Sequence, residues 1–270
     1  MSIKNIDLVI GLGEIGVPIL NILEKGEDVI GYDIDPTKMN SKKYQALKEK
    51  PILFLHICIP FTKNFVSTVV NLAKVKKPKA IVIHSTIEPY TTQKIQKLID
   101  IPVIYSATRG VHKRMISDMK KYTKFYALEK SAPNKKWASQ NYSNLLKKCG
   151  IKSKKMSDPI TLELAKIIVD TSYYGWLINY AQLSNMIAKK HKVDYDEMWS
   201  FADEIQKYLR NRPKMFPGFI GGHCVIPNLS LINEESLWQI DKINNLYVQK
   251  VKDAKSIAKK YVKGQQSYDV

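Results

Sequence analysis

The sequence predicts an α/β protein in which a doubly wound parallel sheet over residues 1–155 is followed by an all-helical domain over residues 156–270 built on one long helix. Three observations predict it. Short Val/Ile/Leu-rich runs alternate with stretches of helical spacing through the first half of the chain, and such alternation builds βαβ units and hence a parallel sheet. A glycine-rich turn separates the first run from the first helical stretch. Residues 160–191 then contain no proline and a single glycine, Gly175, with apolar residues recurring at helical spacing.

The expected strands are residues 6–10, 28–34, 51–59, 80–84 and 101–105, each bounded by turn-forming or charged residues. Helices are expected between them at 17–25, 36–47, 65–75 and 91–99. Right-handed crossovers then make the sheet doubly wound. Ser157, Asp158 and Pro159 punctuate the start of the long helix. A second helix is expected at 194–209, the Gly/Pro-rich stretch 217–227 is loop, and a helix at 234–262 carries Leu237, Ile240, Ile243, Tyr247, Val251, Ala254, Ala258 and Tyr261 along one face.

Composition narrows the function classes. Hydrophobic residues at 44% and charged residues at 25% are those of a folded globular chain and exclude wholesale disorder. The longest apolar run, residues 52–60, contains His56 and falls short of the roughly 20 residues that a membrane helix needs. The N-terminal run reads as a first strand and not as a signal segment, so no membrane partner is expected. Cys58, Cys149 and Cys224 are too few and too scattered for a disulfide framework, which implies free thiols and a cytoplasmic location. Forty-three Lys and Arg against 25 Asp and Glu give a net charge of +18, which concentrates anions. Nucleic-acid binding requires basic residues striped with aromatics. The lysines fall instead in scattered pairs such as Lys42-Lys43 and Lys189-Lys190, so nucleic acid ranks last among partners.

Gly11-Leu12-Gly13-Glu14-Ile15-Gly16 is a GxGxxG turn between a strand and a helix, and Asp33 ends the next strand. In such a turn Gly11 makes the tight bend, Gly13 lets a pyrophosphate approach the backbone at a helix N-terminus, Gly16 allows close packing, and Asp33 accepts from an adenosine ribose. A carboxylate there repels a 2′-phosphate and favours NAD over NADP. The expected cofactor set is Gly11, Gly13, Glu14, Ile15, Gly16, Asp33, Lys38, Pro60 and Thr86, in a Rossmann-like domain. No metal is expected, since His84 and His223 form no recognisable ligand motif.

The second constellation is chemical. Residues 216–224 read Phe-Pro-Gly-Phe-Ile-Gly-Gly-His-Cys, which sets Cys224 at the end of a loop whose Gly221 and Gly222, with His223, suit a ligand. A lone cysteine is commonly a small buried hydrophobe; beside a histidine in a cationic protein, a nucleophilic role is the alternative. On the long helix Glu163, Lys166 and Asp170 stand at i, i+3 and i+7, either as a surface ion-pair ladder or as a lysine held by a carboxylate and aimed at a substrate alkoxide. The neighbouring Ile167, Ile168 and Val169 imply that this helix is largely buried, which favours the second.

Together the GxGxxG turn, the segment 31–35 (GYDID), Ser85-Thr86-Ile87, Glu163 with Lys166, and above all PGFIGGHC at 217–224 resemble the UDP-glucose/GDP-mannose dehydrogenase family over about residues 6–228. The resemblance implies a two-step, NAD-linked oxidation of a sugar-nucleotide hydroxymethyl group, through an aldehyde and a thioester on Cys224, to a carboxylate. It implies Cys224, Lys166, Asp170, Thr86 and Asn228 as catalytic residues, and Lys166, Gly221, Gly222 and His223 as substrate-binding ones. It also implies an anionic substrate and a homodimer formed along the long helix.

The sequence departs from the family pattern at four polar positions. Asp170 replaces an Asn, Asn228 an Asp, Thr108 a Glu, and Phe61 a Thr, while Phe219 or Ile220 is inserted after the Pro-Gly. With Thr108 in place of the carboxylate, no group of suitable pKa is expected there to activate water. Only 42 residues follow Asn228, leaving almost no room for the family's third domain. Two alternatives therefore stand: a two-electron dehydrogenase of the β-hydroxyacid type that uses Lys166 without covalent catalysis, and a non-catalytic NAD- or nucleotide-binding protein.

Overall fold

A computed structural model describes residues 5–222 and 224–255. Within it the chain forms two compact units, Met1–Lys166 and Ile167–Val270.

The first unit is a seven-stranded sheet in the order β2-β1-β3-β4-β5-β6-β7. Its strands are β1 Ile6–Ile10, β2 Val29–Tyr32, β3 Ile52–Ile57, β4 Ala80–Ile83, β5 Val103–Tyr105, β6 Lys124–Leu128 and β7 Ser153–Lys155. The five expected strands are present, and the first five pair in parallel. The sheet is nevertheless mixed, because β6 runs antiparallel to β5. Neither β6 nor β7 is legible by periodicity: β6 opens on a lysine, and β7 is Ser-Lys-Lys at the sheet edge, where lysines block further pairing.

The helices of this unit are α1 Gly16–Leu23, α2 Ser41–Leu47, α3 Phe65–Lys76, α4 Thr91–Gln96, α5 Met115–Lys121, α6 Lys135–Lys148 and α7 Pro159–Leu164. The single helix expected at 36–47 divides in two. Asp35 caps a 3-10 turn through the Thr37 amide, and Asn40 caps α2 through the Lys43 amide. Strand alternation sends Val9, Phe54, Val82 and Ile104 to one face, where α1, α5 and α6 cover them with Ile19, Ile22, Met119, Tyr142 and Leu145. Leu8, Ile10, Leu55, Ile81 and Tyr105 go to the other, beneath α3, α4 and α7. Each fully buried aliphatic side chain of this kind contributes about 1.5–3 kcal/mol. The chain turns from β1 to β2 on one side and to β3 on the other, so the strand order reverses between β1 and β3, where open α/β sheets bind ligands beyond their carboxyl ends.

The long helical run is present from Pro159 to His191, with a π-helical segment, Ala165–Ser172, between α7 and α8 Tyr173–His191. The π turn is wider than an α turn, so the row of Glu163, Lys166 and Asp170 does not follow from regular α spacing. Nor is this stretch largely buried: Ile167 is, but Ile168 is 37% and Val169 67% exposed.

The second unit continues with α9 Tyr195–Ser200, α10 Asp203–Leu209, α11 Ile226–Leu229 and α12 Gln239–Lys250. The helix expected at 194–209 thus breaks at Phe201-Ala202, and the one expected at 234–262 begins at Gln239. Ala258 and Tyr261 lie outside the described residues. Ile178, Ala181, Tyr195, Met215, Ile220, Val225 and Ile240 form its core. Gly175 explains itself here, since a Cβ on it would stand 2.8 Å from Val225 and 3.1 Å from Ile240.

Candidate functional site

The three glycines of the opening turn stand in different surroundings. Gly11 has φ +88°, and a Cβ on it would stand 3.0 Å from the carbonyl of Cys58, beyond β3. A Cβ on Gly16 would fall 1.7 Å from the Gly11 carbonyl oxygen, so its constraint is packing against the turn itself. A Cβ on Gly13 meets nothing within 4 Å. The protein's own packing leaves Gly13 unconstrained, at the start of an eight-residue helix whose N-cap, Ile15, offers no side-chain acceptor. These features fit a pyrophosphate-bearing cofactor held by backbone N–H groups.

Asp33 ties this turn to β2. Its Oδ2 accepts from the Leu12 amide at 2.6 Å and its Oδ1 from the Asp35 amide at 2.9 Å. Partial burial alone raises its pKa, but those two amides and the Lys38 charge outweigh it and hold the carboxyl below its ordinary range. Each oxygen retains a lone pair for a ribose hydroxyl. Glu14, Lys38 and Pro60 are exposed, and Ile15 and Thr86 half-buried. Ser85 donates to the Ile59 carbonyl at 2.6 Å, tying the exit of β4 to that of β3.

Among the described residues no lysine pairs with Glu163. It is fully buried, accepting from the Thr92 hydroxyl at 2.6 Å and from the amides of Thr92 at 3.0 Å and Tyr90 at 2.6 Å. It therefore closes the N-terminus of α4 from α7, a structural cap between helices. Burial, partly offset by these bonds, pushes its carboxyl above the ordinary range. Lys166 and Asp170 lie in the π segment, each half-buried.

Beside Thr108 stands a group that the sequence reading overlooked. Because β6 is antiparallel, its first residue, Lys124, lies where the parallel strands end, and its Nζ donates to Ser106 O, Ala107 O and Thr108 Oγ1. Burial is the main cause that brings its pKa down to about 7, with Arg109 and Lys166 adding to it and Cys58 opposing. A titratable group thus does stand at Thr108, contrary to the expectation from the residue itself. On the same sheet face His56 Nδ1 and His84 Nε2 are 3.0 Å apart, and Asp7 Oδ2 is 3.5 Å from His56 Nε2, all three side chains buried. Burial, then the Lys124 and His56 charges, push His84 well below the ordinary imidazole range. A polar residue within or just after an apolar strand run, Asp7 in β1, His56 in β3 and His84 after β4, is the sequence signal for this row.

In the second unit Cys224 is exposed, which sets aside the buried-hydrophobe reading of that cysteine. Asn228 donates from Nδ2 to the Cys224 carbonyl at 2.6 Å, so these two expected residues are adjacent across the first turn of α11. The preceding loop is pinned by buried polar side chains of α8 and α12. Asn244 accepts from the Ile220 amide at 2.9 Å and donates to its carbonyl at 3.1 Å, Gln182 donates to Gly218 O at 2.8 Å, and Tyr247 to Pro217 O at 2.6 Å. Gly221 is exposed and crowded by the Phe219 ring; Gly222 is half-buried, and His223 lies outside the described residues.

No family model and no curated protein matches the sequence. Solved structures match its fold. UDP-D-ManNAc dehydrogenase from Pyrococcus horikoshii is 18% identical with a TM-score of 0.73, over 90% of this chain and 68% of that one. UDP-N-acetyl-mannosamine dehydrogenase from Staphylococcus aureus is 19% identical with a TM-score of 0.66, over 98% and 72%. The 3-hydroxyisobutyrate dehydrogenase from Mycobacterium tuberculosis is 14% identical with a TM-score of 0.66, over 97% of this chain and 100% of that one. The chain shares the fold of these dehydrogenases, and among its described residues no helix is long and apolar enough to cross a membrane.

Proposed function

We propose that the chain is an NAD-dependent oxidoreductase acting on an alcohol of an anionic, sugar-nucleotide-like substrate. One observation carries this reading: packing forces glycine at Gly11 and Gly16, whereas Gly13 faces open space at an uncapped helix N-terminus beside the β1/β3 switch point. A phosphate group approaching the backbone there accounts for the third glycine. The turn Gly11–Gly16 with Asp33, Lys38, Pro60 and Thr86 would hold NAD, which supplies the hydride acceptor. Asp33, kept ionised, selects against a 2′-phosphate.

Lys166 is the proposed electrostatic stabiliser of the substrate oxygen. Cys224, exposed at the end of a pinned loop, is the proposed nucleophile that carries an aldehyde on to a carboxylate, with Asp170, Asn228 and Thr86 as polar companions and Gly221, Gly222 and His223 along the substrate. A cytoplasmic setting belongs to the same reading.

The test counts NADH formed per substrate across a panel of sugar nucleotides and hydroxy acids. Two per substrate, falling to one with accumulated aldehyde in Cys224→Ser, is the expected result. If Cys224→Ser leaves carboxylate formation intact, the covalent step is wrong. One NADH per substrate in the wild type with full dependence on Lys166 selects the two-electron reading, which the full-length fold match to 3-hydroxyisobutyrate dehydrogenase favours. No NADH with any donor, with NAD still bound, leaves the non-catalytic reading.

A homodimer is part of this proposal. Tyr173, Trp176, Tyr180 and Ile187 of α8 are exposed at spacings that keep one side of the helix, at 58, 37, 63 and 56%, a patch suited to a second copy. Light scattering should give about twice the 31.0 kDa chain mass, and Tyr180→Lys should return it to one.

A further inference from the structure

Lys124 is 6% exposed, and its three partners are uncharged: Ser106 O at 3.0 Å, Ala107 O at 3.4 Å and Thr108 Oγ1 at 3.4 Å. The titratable and charged groups that face it are Cys58 beyond β3, His84 beyond β4, Arg109 beyond β5 and Lys166 after α7. None of them is a carboxylic acid. Arg109 is itself fixed, donating to Thr123 O at 2.7 Å and lying 5.1 Å from the Phe125 ring centre. Burial pushes the Cys58 thiol up to about 12, so no thiolate balances the amine at neutral pH.

We propose that Lys124 and Thr108 form an amine–hydroxyl pair at the carboxyl edge of the sheet, with Lys124 a positioning residue whose protonation state sets the direction in which the Thr108 hydroxyl donates. The proposal rests on the NAD-dependent reading, which makes that edge the ligand edge. The donor inventory gives the mechanism. As an ammonium, Lys124 has three N–H groups for three acceptors, and Thr108 keeps its own proton for a ligand. As an amine, it serves the two carbonyls with its two N–H groups, and its lone pair takes the Thr108 proton as a hydrogen bond, which leaves the hydroxyl oxygen as an acceptor toward the edge. Burial and the neighbouring cations bring this exchange to about pH 7, and the net reaction is one proton released to solvent.

The experiment is a titration of the full chain carrying ¹³C at lysine Cε, with Lys124 assigned by the resonance lost in Lys124→Arg and, independently, in Lys124→Met. The one lysine resonance lost in both variants should titrate near neutrality. Thr108→Val should move that midpoint downward by removing an acceptor of the ammonium, and Thr108→Ser should restore it. Titration of Lys124 with the bulk lysines, or a midpoint unmoved in Thr108→Val, overturns the pair. In the NADH assay, kcat/KM should show an inflection at the same midpoint that Lys124→Arg abolishes; an inflection that survives in Lys124→Arg overturns the positioning role. A chain that binds no NAD yet shows the expected titration sinks the proposed function and, with it, the ligand-facing role, whereas a chain that reduces NAD with Lys124 titrating like the others sinks this proposal alone.

Discussion

Thr92 gives both its hydroxyl, at 2.6 Å, and its amide, at 3.0 Å, to the buried carboxylate of Glu163. With the Tyr90 amide, this one side chain satisfies three donors at the start of α4, a helix whose N-cap residue, Tyr90, has left-handed backbone and no cap of its own. Glu163→Ala leaves three donors unpaired, two of them on fully buried Thr92, which should lower the unfolding free energy by about 3–5 kcal/mol. Glu163→Gln keeps one carbonyl acceptor and should lose about half as much. Urea denaturation of the two variants checks the order, and equal losses would show that a neutral acceptor recovers nothing and that the whole effect needs the carboxylate.

The glycine turn separates folding from binding. Gly16→Ala forces a Cβ toward the Gly11 carbonyl oxygen, and soluble folded protein should be lost or destabilised by about 3 kcal/mol or more. Gly13→Ala meets open space and should leave the melting temperature within about 2 °C while weakening NAD at least tenfold. Calorimetric melting and titration with NAD read the two effects separately.

Lys124 also predicts how stability depends on pH. Its folded pKa, about 7, is depressed from 10.5, so between these values the unfolded chain binds a proton that the folded one does not. The sign follows: its contribution is complete above pH 10.5, falls by about tenfold in the folding equilibrium per pH unit as pH drops, and levels off below about 7. The difference between wild type and Lys124→Met, measured by urea unfolding from pH 7 to 10, should carry that slope. A flat difference would mean that the ammonium is retained in the fold.

Asn244 holds Ile220 by both its amide and its carbonyl. Asn244→Leu should release the loop ahead of Cys224 at a loss of about 1–3 kcal/mol. Amide exchange over residues 218–222 should accelerate at least tenfold, and the rate of Cys224 alkylation should change with it. Unchanged exchange there would assign the anchoring to Gln182 and Tyr247 instead.

The βαβ half, the strand-to-helix glycine turn with Asp33 and the existence of the long helix are legible in the residue order alone. Each is local: a buried strand needs a continuous apolar run, a tight turn needs Gly11 at positive φ, and a long helix needs the absence of proline. The residue order also marks the segment that ends in Cys224 as loop. Which group faces which follows from the packing of distant segments. Lys124 looked like one more lysine in a basic chain until an antiparallel β6 set it at the end of β5, and Glu163 looked like a partner for Lys166 until α7 met the start of α4. Asn244, Gln182 and Tyr247 read as helix residues until they closed on loop backbone from across the unit. Desolvation and hydrogen-bond pairing depend on which distant segments pack together, and residue spacing along one chain carries no record of that.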